Sequence, residues 1–155
     1  MEEKYEALRL RNQLCYPIYL CAKELTRRYG PVLKPLDLTY TQYVVMMYFW
    51  EMKQSNVTEL GNALLLDSGT LTPLLKKLEA KGYLSRTRSA ADERNLIVTL
   101  TPAGEALREE ALCVPAQIGS CLRLTPQEAA DLYRLTNKLL ANMEQGEQEH
   151  EESNG

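Results

Sequence analysis

The sequence predicts a mainly α-helical fold with one small β-hairpin. Apolar residues recur at helical spacing through most of the 155 positions. Strand patterns occur in residues 83–100, where the strand-like YLSRTR and the β-branched LIVTL flank the turn-rich SAADER. With an apolar fraction of 45%, the chain can bury a real core, and we expect a single domain over residues 1–155.

The first helix is predicted over about residues 12–33, where leucine, isoleucine, cysteine and alanine share one side. Asn12 can act as its N-cap, which places Cys15 in the first turn of the helix. Gly30 and Pro31 are then expected to break the helix up, because neither residue favours a helix interior.

The second helix is predicted to begin near Thr39. It is apolar on almost every side, so it should form the buried centre of the domain. The segment MKQSN, residues 52–56, is interpreted as a connection. A short helix over residues 57–64 follows, with Asn56 or Thr58 as its N-cap.

Only about three residues separate this short helix from the next one, which is the spacing of a helix-turn-helix. Asp67 or Ser68 caps the second of the two helices, and Gly82 ends it. One of its faces is an apolar stripe formed by Leu71, Leu74, Leu75 and Leu78. The other face carries hydroxyls and cations, at Ser68, Thr70, Thr72, Lys76 and Lys77. This unit, followed by a basic hairpin, predicts a winged helix-turn-helix.

Two further helices are predicted after the hairpin, each opened by a Thr-Pro pair in which threonine is the N-cap. The first begins at Thr101 and runs to about Val114, where Pro115 interrupts it. The second begins at Thr125. We expect the acidic tail, residues 145–155, to be disordered because it is almost entirely polar.

The polar helix face and the basic hairpin suit double-stranded DNA. Hydroxyls and lysines on a helix fit the major groove, and an arginine on a projecting loop fits the minor groove. The whole chain has a net charge of −3, but residues 67–94 hold six cations against four anions. Since only the docking face has to neutralise phosphates, this local excess of positive charge is compatible with DNA binding.

Apolar helices flank the winged helix-turn-helix, which is predicted over about residues 39–100. The flanking segments, about residues 10–34 and 102–143, are too apolar for a thin DNA-binding core to bury alone. We therefore interpret them as dimerisation helices, and a two-fold dimer would match a pseudo-palindromic operator. A larger monomeric core is the alternative.

The four cysteines have no spacing typical of a metal site, and the single histidine, His150, lies in the tail. We expect neither a metal nor a cofactor. No apolar run is long enough to span a membrane, and the N-terminus lacks a signal-peptide core, so a cytoplasmic protein is expected. Cysteines in that compartment are thiols, either buried and inert or reactive because of where they lie.

Four segments carry a recognisable pattern: NQLCYPIY (12–19), RRYGPVLKPLDLTYTQY (27–43), LLLDSGTLTPLLKKLEAKG (64–82) and RSAADER (88–94). They resemble the MarR family of winged-helix regulators, and more narrowly its organic hydroperoxide sensors of the OhrR type. The last segment contains the D-x-R motif of the MarR wing as Asp92-Glu93-Arg94. Two departures are Pro17, which follows the motif cysteine, and Cys21, where the family usually has a small residue without a thiol.

The resemblance implies a homodimeric repressor that releases its operator when an organic hydroperoxide oxidises Cys15. The two tyrosines that hydrogen-bond the sensing thiol in the family correspond to Tyr29 and Tyr40. In some members a C-terminal cysteine of the partner subunit resolves the oxidised thiol, and Cys121 or Cys113 can play that part here. The alternative is that these two are buried, inert thiols. The DNA-binding positions correspond to Ser68, Thr70, Thr72, Lys76, Arg86, Arg88, Asp92 and Arg94.

A peroxide sensor needs a thiolate, and the positive end of a helix dipole stabilises the thiolate of a cysteine in the first turn. Tyrosine hydroxyls that donate to the sulfur stabilise the same anion. If residues 15–29 form one helix, Cys15 and Tyr29 lie about 21 Å apart at about 1.5 Å per residue. They cannot touch within one chain, so any contact between them requires the other subunit.

Two other functions fit the same sequence. One is a MarR-type repressor released by a phenolic or aromatic ligand, with the tyrosines and the apolar second helix lining a pocket. The other is an enzyme, a thiol peroxidase, which would need a resolving thiol and a reductant and would leave the wing arginines without a purpose. For Cys15 itself, the alternative to a sensing thiol is a small core residue, as isolated cysteines often are.

Overall fold

The computed structural model describes residues 3–88 and 96–153, which form seven α-helices and three β-strands. The helices are α1 (Cys15–Leu33), α2 (Tyr40–Met52), α3 (Val57–Leu64), α4 (Ser68–Ala80), α5 (Pro102–Ala111), α6 (Val114–Leu122) and α7 (Pro126–Ser153). The strands are β1 (Gln54–Asn56), β2 (Leu84–Arg88) and β3 (Leu96–Leu100). None of the helices in these two ranges is long and apolar enough to cross a membrane. The predicted class, mainly α with a small β-hairpin, is confirmed.

α2 is a buried centre of the fold, as its apolar sequence predicts. Val45, Met46 and Phe49 have no solvent exposure. The helix begins with a capping box, in which the Thr39 hydroxyl accepts a hydrogen bond from the Gln42 amide and the Gln42 side chain accepts one from the Thr39 amide. Capping and burial therefore both favour a helix that begins next to Thr39, where the sequence predicts its start.

The three strands form one antiparallel sheet in the order β1-β3-β2. β2 and β3 are the predicted hairpin, and Arg86 pairs with Val98 at its middle. The interpretation of residues 52–56 as a plain connection is wrong for the last three, because β1 adds a third strand there with Ser55 opposite Val98. Ser55 is buried and shares a hydrogen bond of 3.0 Å with the Tyr48 hydroxyl. Tertiary contacts thus stabilise a strand in a polar sequence.

α3 and α4 form the predicted helix-turn-helix. Asn56 caps α3 and Asp67 caps α4, each through a side-chain oxygen that accepts the amide three residues on. The two helices approach so closely at their turn that a Cβ on Gly61 would lie 2.9 Å from the Leu66 carbonyl oxygen. After α4 the chain turns at Gly82, as predicted, and its φ of 78° favours a residue without a side chain.

α1 differs from its predicted form at both ends. Asn12 is not the N-cap, because its side-chain amide instead donates to a backbone carbonyl oxygen upstream at 2.8 Å. Leu14 precedes the helix and supplies no side-chain cap, although Cys15 still lies in the first turn as predicted. Gly30 and Pro31 do not break the helix, since Pro31 lies in the last turn, where a proline removes only one backbone hydrogen bond.

The chain divides into two compact units, Met1–Ile118 and Gly119–Gly155. The helix predicted to run from Thr101 to about Val114 ends earlier, at Ala111. Pro115 does not interrupt that helix but is the second residue of the separate helix α6, where its missing amide hydrogen is tolerated.

α7 begins as predicted and ends later. Thr125 and Glu128 form a capping box, with the Glu128 carboxylate accepting from the Thr125 amide at 2.8 Å and the Thr125 hydroxyl accepting from the Glu128 amide at 3.3 Å. The helix continues to Ser153, so the expected disorder of the tail is wrong for residues 145–153. These residues are rich in glutamate and glutamine, which are strong helix formers.

Candidate redox site and DNA-binding surface

Cys15 is the first residue of α1, and its side chain is exposed. It is therefore not the small core residue that isolated cysteines often are. Its thiolate would lie at the positive end of a 19-residue helix, which stabilises an anion. Pro17 fits within the first turn and leaves the helix continuous, because the amide hydrogen that it lacks has no partner inside the helix there. The place leaves the thiol accessible to a peroxide at the N-terminus of a helix.

Tyr29 and Tyr40 lie against each other at the far end of α1. Their ring centroids are 4.6 Å apart, and the Tyr43 ring centroid lies 6.0 Å from that of Tyr29. Burial, and after it the neighbouring Tyr40, raises the pKa of the Tyr29 phenol above its ordinary value of 10.0. The phenol therefore keeps its proton at neutral pH and can donate a hydrogen bond to a thiolate. The sequence reasoning missed Tyr43, although its spacing of three residues from Tyr40 on α2 places both on one helix face.

A single chain does not bring Cys15 to the tyrosines. Cys15 and Tyr29 both belong to α1, and the fourteen residues from 15 to 29 correspond to about 21 Å along the helix axis. The continuous helix confirms the separation predicted from the sequence. The structure thus brings Tyr29 and Tyr40 together and leaves Cys15 at the opposite end of the same helix.

The other three cysteines are also exposed, so none is buried within the chain as an inert packing thiol would be. Cys21 lies on α1 and Cys121 on α6. Cys113 directly precedes α6, and its thiol donates to the carbonyl oxygen three residues earlier at 3.5 Å. Burial, then Tyr29, then Cys113 raise the pKa of the Tyr43 phenol. Cys113 therefore lies near the tyrosine cluster of its own chain.

The polar face of α4 is open to solvent, as predicted. Ser68, Thr70, Thr72 and Lys76 are exposed, while the leucine stripe is buried. Two hydroxyl hydrogens are used within the helix, because Thr70 donates to the Asp67 carboxylate at 2.7 Å and Thr72 donates to the Ser68 carbonyl oxygen at 2.8 Å. Hydrogen bonds from Thr70 also hold the pKa of Asp67 below its ordinary value. The two threonine oxygens are left as acceptors, which suits the amino groups of adenine and cytosine in a major groove.

The four wing residues predicted to contact DNA differ in their exposure and in their partners. Arg88, the last residue of β2, is exposed. Arg86 turns toward α4 and pairs there with Glu79, and only 18% of its side chain is exposed. Asp92 and Arg94 lie outside the described residues. DNA contacts by all four remain predictions, and Arg86 already has a partner on α4.

Known proteins similar to this chain are transcriptional regulators. A family model described as transcriptional regulator SarA/Rot matches residues 27–110. The organic hydroperoxide resistance transcriptional regulator of Bacillus subtilis (strain 168) is 40% identical over 144 residues, which are 93% of this chain and 96% of that protein. Reduced AbfR of Staphylococcus epidermidis bound to DNA has a TM-score of 0.79 and 34% identity, covering 92% of this chain and 97% of that chain. Disulfide-formed AbfR has a TM-score of 0.62 and 35% identity, covering 93% and 96%.

Proposed function

The chain belongs to the SarA/Rot group of MarR-type winged helix-turn-helix transcriptional regulators, and we propose that it is a homodimeric repressor that senses organic hydroperoxides through Cys15. Oxidation of this thiol releases the operator. The observation that carries the proposal is the layout of α1, with an exposed thiol at its first residue and two adjoining tyrosines at its far end. If α1 runs antiparallel to the partner's copy, each thiol lies beside the other subunit's tyrosines.

Exposed apolar side chains support the dimer. Large apolar side chains are exposed in each unit, at Leu8, Leu10, Leu14, Ile18 and Tyr19 in the first and at Leu132, Tyr133, Leu135, Leu140 and Met143 in the second. Apolar surface of this extent in water is typical of a protein interface. We propose that a second copy of the chain covers these apolar side chains, because a two-fold dimer matches a pseudo-palindromic operator.

The proposed reaction is attack of the Cys15 thiolate on an oxygen of the hydroperoxide. A sulfur–oxygen bond forms as the oxygen–oxygen bond breaks. The cysteine is oxidised to a sulfenic acid, and the peroxide is reduced to an alkoxide that takes up a proton and leaves as the alcohol. In the reduced dimer, Tyr29 and Tyr40 of the partner subunit donate hydrogen bonds to the thiolate, and these are charge-assisted and strong.

Oxidation acts on DNA binding through the dimer. A neutral sulfenic acid lacks the negative charge that strengthens the tyrosine hydrogen bonds. These hydrogen bonds between the subunits therefore weaken, and the subunits can shift relative to each other. The two α4 helices must lie about one turn of DNA apart to enter successive major grooves. A shift of one subunit against the other changes that spacing and releases the operator. Such a repressor works in the cytoplasm, where the DNA is.

A second thiol completes the oxidation. The sulfenic acid of Cys15 condenses with Cys121 of the partner subunit, or failing that with Cys113, to form a disulfide and release water. Both candidate thiols are exposed in the isolated chain. The similarity to AbfR, which has been solved with its disulfide formed, also supports this step.

A gel-shift titration on the DNA upstream of the protein's own gene tests the proposal. Reduced protein is expected to retard the fragment, cumene hydroperoxide to release it, and dithiothreitol to restore binding, because sulfenic acids and disulfides are reducible. Salicylate without peroxide is the control for a ligand-released repressor. Release by salicylate together with no response to the hydroperoxide would contradict the proposal and favour that alternative.

A further inference from the structure

Glu79 on α4 and Arg86 on β2 form an ion pair. This pair joins α4 to the wing, the hairpin whose strands are β2 and β3. We propose that this ion pair positions the wing on DNA, so that Arg86 acts as a positioning residue and is not itself a DNA contact. The proposal rests on the proposed binding of operator DNA by α4 and the wing. It gives a role to Glu79, which no motif in the sequence indicated.

Three hydrogen bonds hold the pair together. The Arg86 backbone amide donates to Oε1 of Glu79 at 3.2 Å, and Nε of Arg86 donates to Oε2 at 2.9 Å. A second guanidinium nitrogen also donates to Oε2. Side-chain exposure is 18% for Arg86 and 36% for Glu79. An arginine held this way is fixed to α4 and leaves little of its side chain exposed to a phosphate.

Both partners are fixed by packing around them. Glu79 follows the fully buried Leu78 in the last turn of α4. Arg86 sits in the middle of β2, opposite the buried Val98. β2 continues for two residues beyond Arg86, to Arg88. The pair therefore sets the direction of the wing relative to α4, and with it the reach of the wing when α4 lies in the major groove.

The carboxylate of Glu79 is ionised at the pH of DNA binding, because the hydrogen bond from Arg86 holds the pKa of Glu79 below its ordinary value. An anion beside the docking face repels the DNA phosphates. Charge alone therefore predicts that removing Glu79 strengthens DNA binding. The positioning role predicts the opposite, so the sign of the change decides between the two.

The experiment measures the affinity of reduced protein for a DNA duplex selected from a randomised pool by the wild type, over a series of salt concentrations. Glu79→Gln is expected to weaken binding by about fivefold, since the wing loses its support. Arg86→Gln should weaken binding to a similar degree without changing the slope of log affinity against log salt, because no phosphate contact is lost. The control, Lys76→Gln on the exposed face of α4, is expected to lower that slope by about 0.9.

The exchanged pair, Glu79→Arg with Arg86→Glu, restores the interaction and is expected to recover most of the wild-type affinity. It also keeps the test decisive if circular dichroism shows that a single variant is unfolded. Tighter binding by Glu79→Gln, or a slope lowered by about 0.9 in Arg86→Gln, would overturn the positioning role of the pair but not the DNA-binding role of the protein. A wild-type protein that selects no duplex would overturn the DNA-binding role and this proposal with it.

Discussion

Cys15→Ser is expected to bind the operator as tightly as the wild type and to stay bound after an organic hydroperoxide is added. A serine hydroxyl is not ionised at neutral pH and does not attack the peroxide bond, so the chemical step is lost. Cys15 is exposed and serine has nearly the same shape, so the fold should be kept. Gel shifts with and without hydroperoxide measure both properties on one sample.

Cys21→Ser is the matched control for this variant. Cys21 is also exposed and lies on the same helix, six positions after Cys15, but it is not at the helix N-terminus. The control should be released by hydroperoxide as the wild type is. Normal release of Cys15→Ser would show that another thiol, or a bound ligand, carries the response.

Oxidised protein is expected to run as a covalent dimer on non-reducing electrophoresis, and Cys121→Ser is expected to abolish that dimer. The sulfenic acid at Cys15 would then have no thiol of the partner subunit to condense with. The effect is all-or-none because a disulfide either links the chains or does not. A dithiothreitol-treated sample of the same oxidised protein should run as the monomer.

Cys113→Ser is the control for the resolving thiol, since Cys113 is exposed and close to α6 in sequence. A covalent dimer that persists in Cys121→Ser but disappears in Cys113→Ser would move the resolving role to Cys113. Monomers carrying only a sulfenic acid or a mixed disulfide, in the wild type itself, would contradict the second step and indicate a one-cysteine sensor.

The helix-turn-helix was predictable because its signals are local. Asn56 and Asp67 cap their helices through hydrogen bonds to amides three residues away, and Gly82 supplies the positive φ that the turn after α4 requires. Such contacts depend on a few neighbouring residues and leave a clear pattern in the sequence. The hairpin was predictable for the same reason.

Features that depend on distant contacts were not predictable in the same way. β1 forms because Ser55 pairs with Val98 across the sheet, 43 positions later in the chain. The pair of Glu79 and Arg86 depends on how β2 packs against α4. Neither leaves a periodic pattern, and Arg86 looked from the sequence like any other cation of a basic hairpin.

The candidate redox site was predictable only in part. The roles of Tyr29 and Tyr40 came from the family resemblance and not from spacing, and the structure adds that their rings lie together. The separation of Cys15 from Tyr29 followed from helix geometry alone, because the rise per residue is fixed. How two subunits would complete the proposed site depends on the geometry of the proposed dimer, which no single sequence pattern encodes.

The central claim, that each redox site is shared by two subunits, is tested most directly by two heterodimers that each keep one Cys15. In the first, a wild-type subunit pairs with a subunit carrying both Cys15→Ser and Tyr29→Phe, so the remaining thiol faces the altered tyrosine. In the second, Cys15→Ser is on one subunit and Tyr29→Phe on the other, so the remaining thiol faces an intact tyrosine. The measurement is the rate of sulfenic acid formation, followed by trapping with dimedone.

The account predicts that the first heterodimer reacts about tenfold more slowly than the second, because only there does the thiolate lose a charge-assisted hydrogen bond. Both heterodimers contain the same two substitutions, so a general effect of either on folding or stability would act on both alike. Equal rates in the two heterodimers, or a slower rate in the second, would contradict a redox site shared across the dimer.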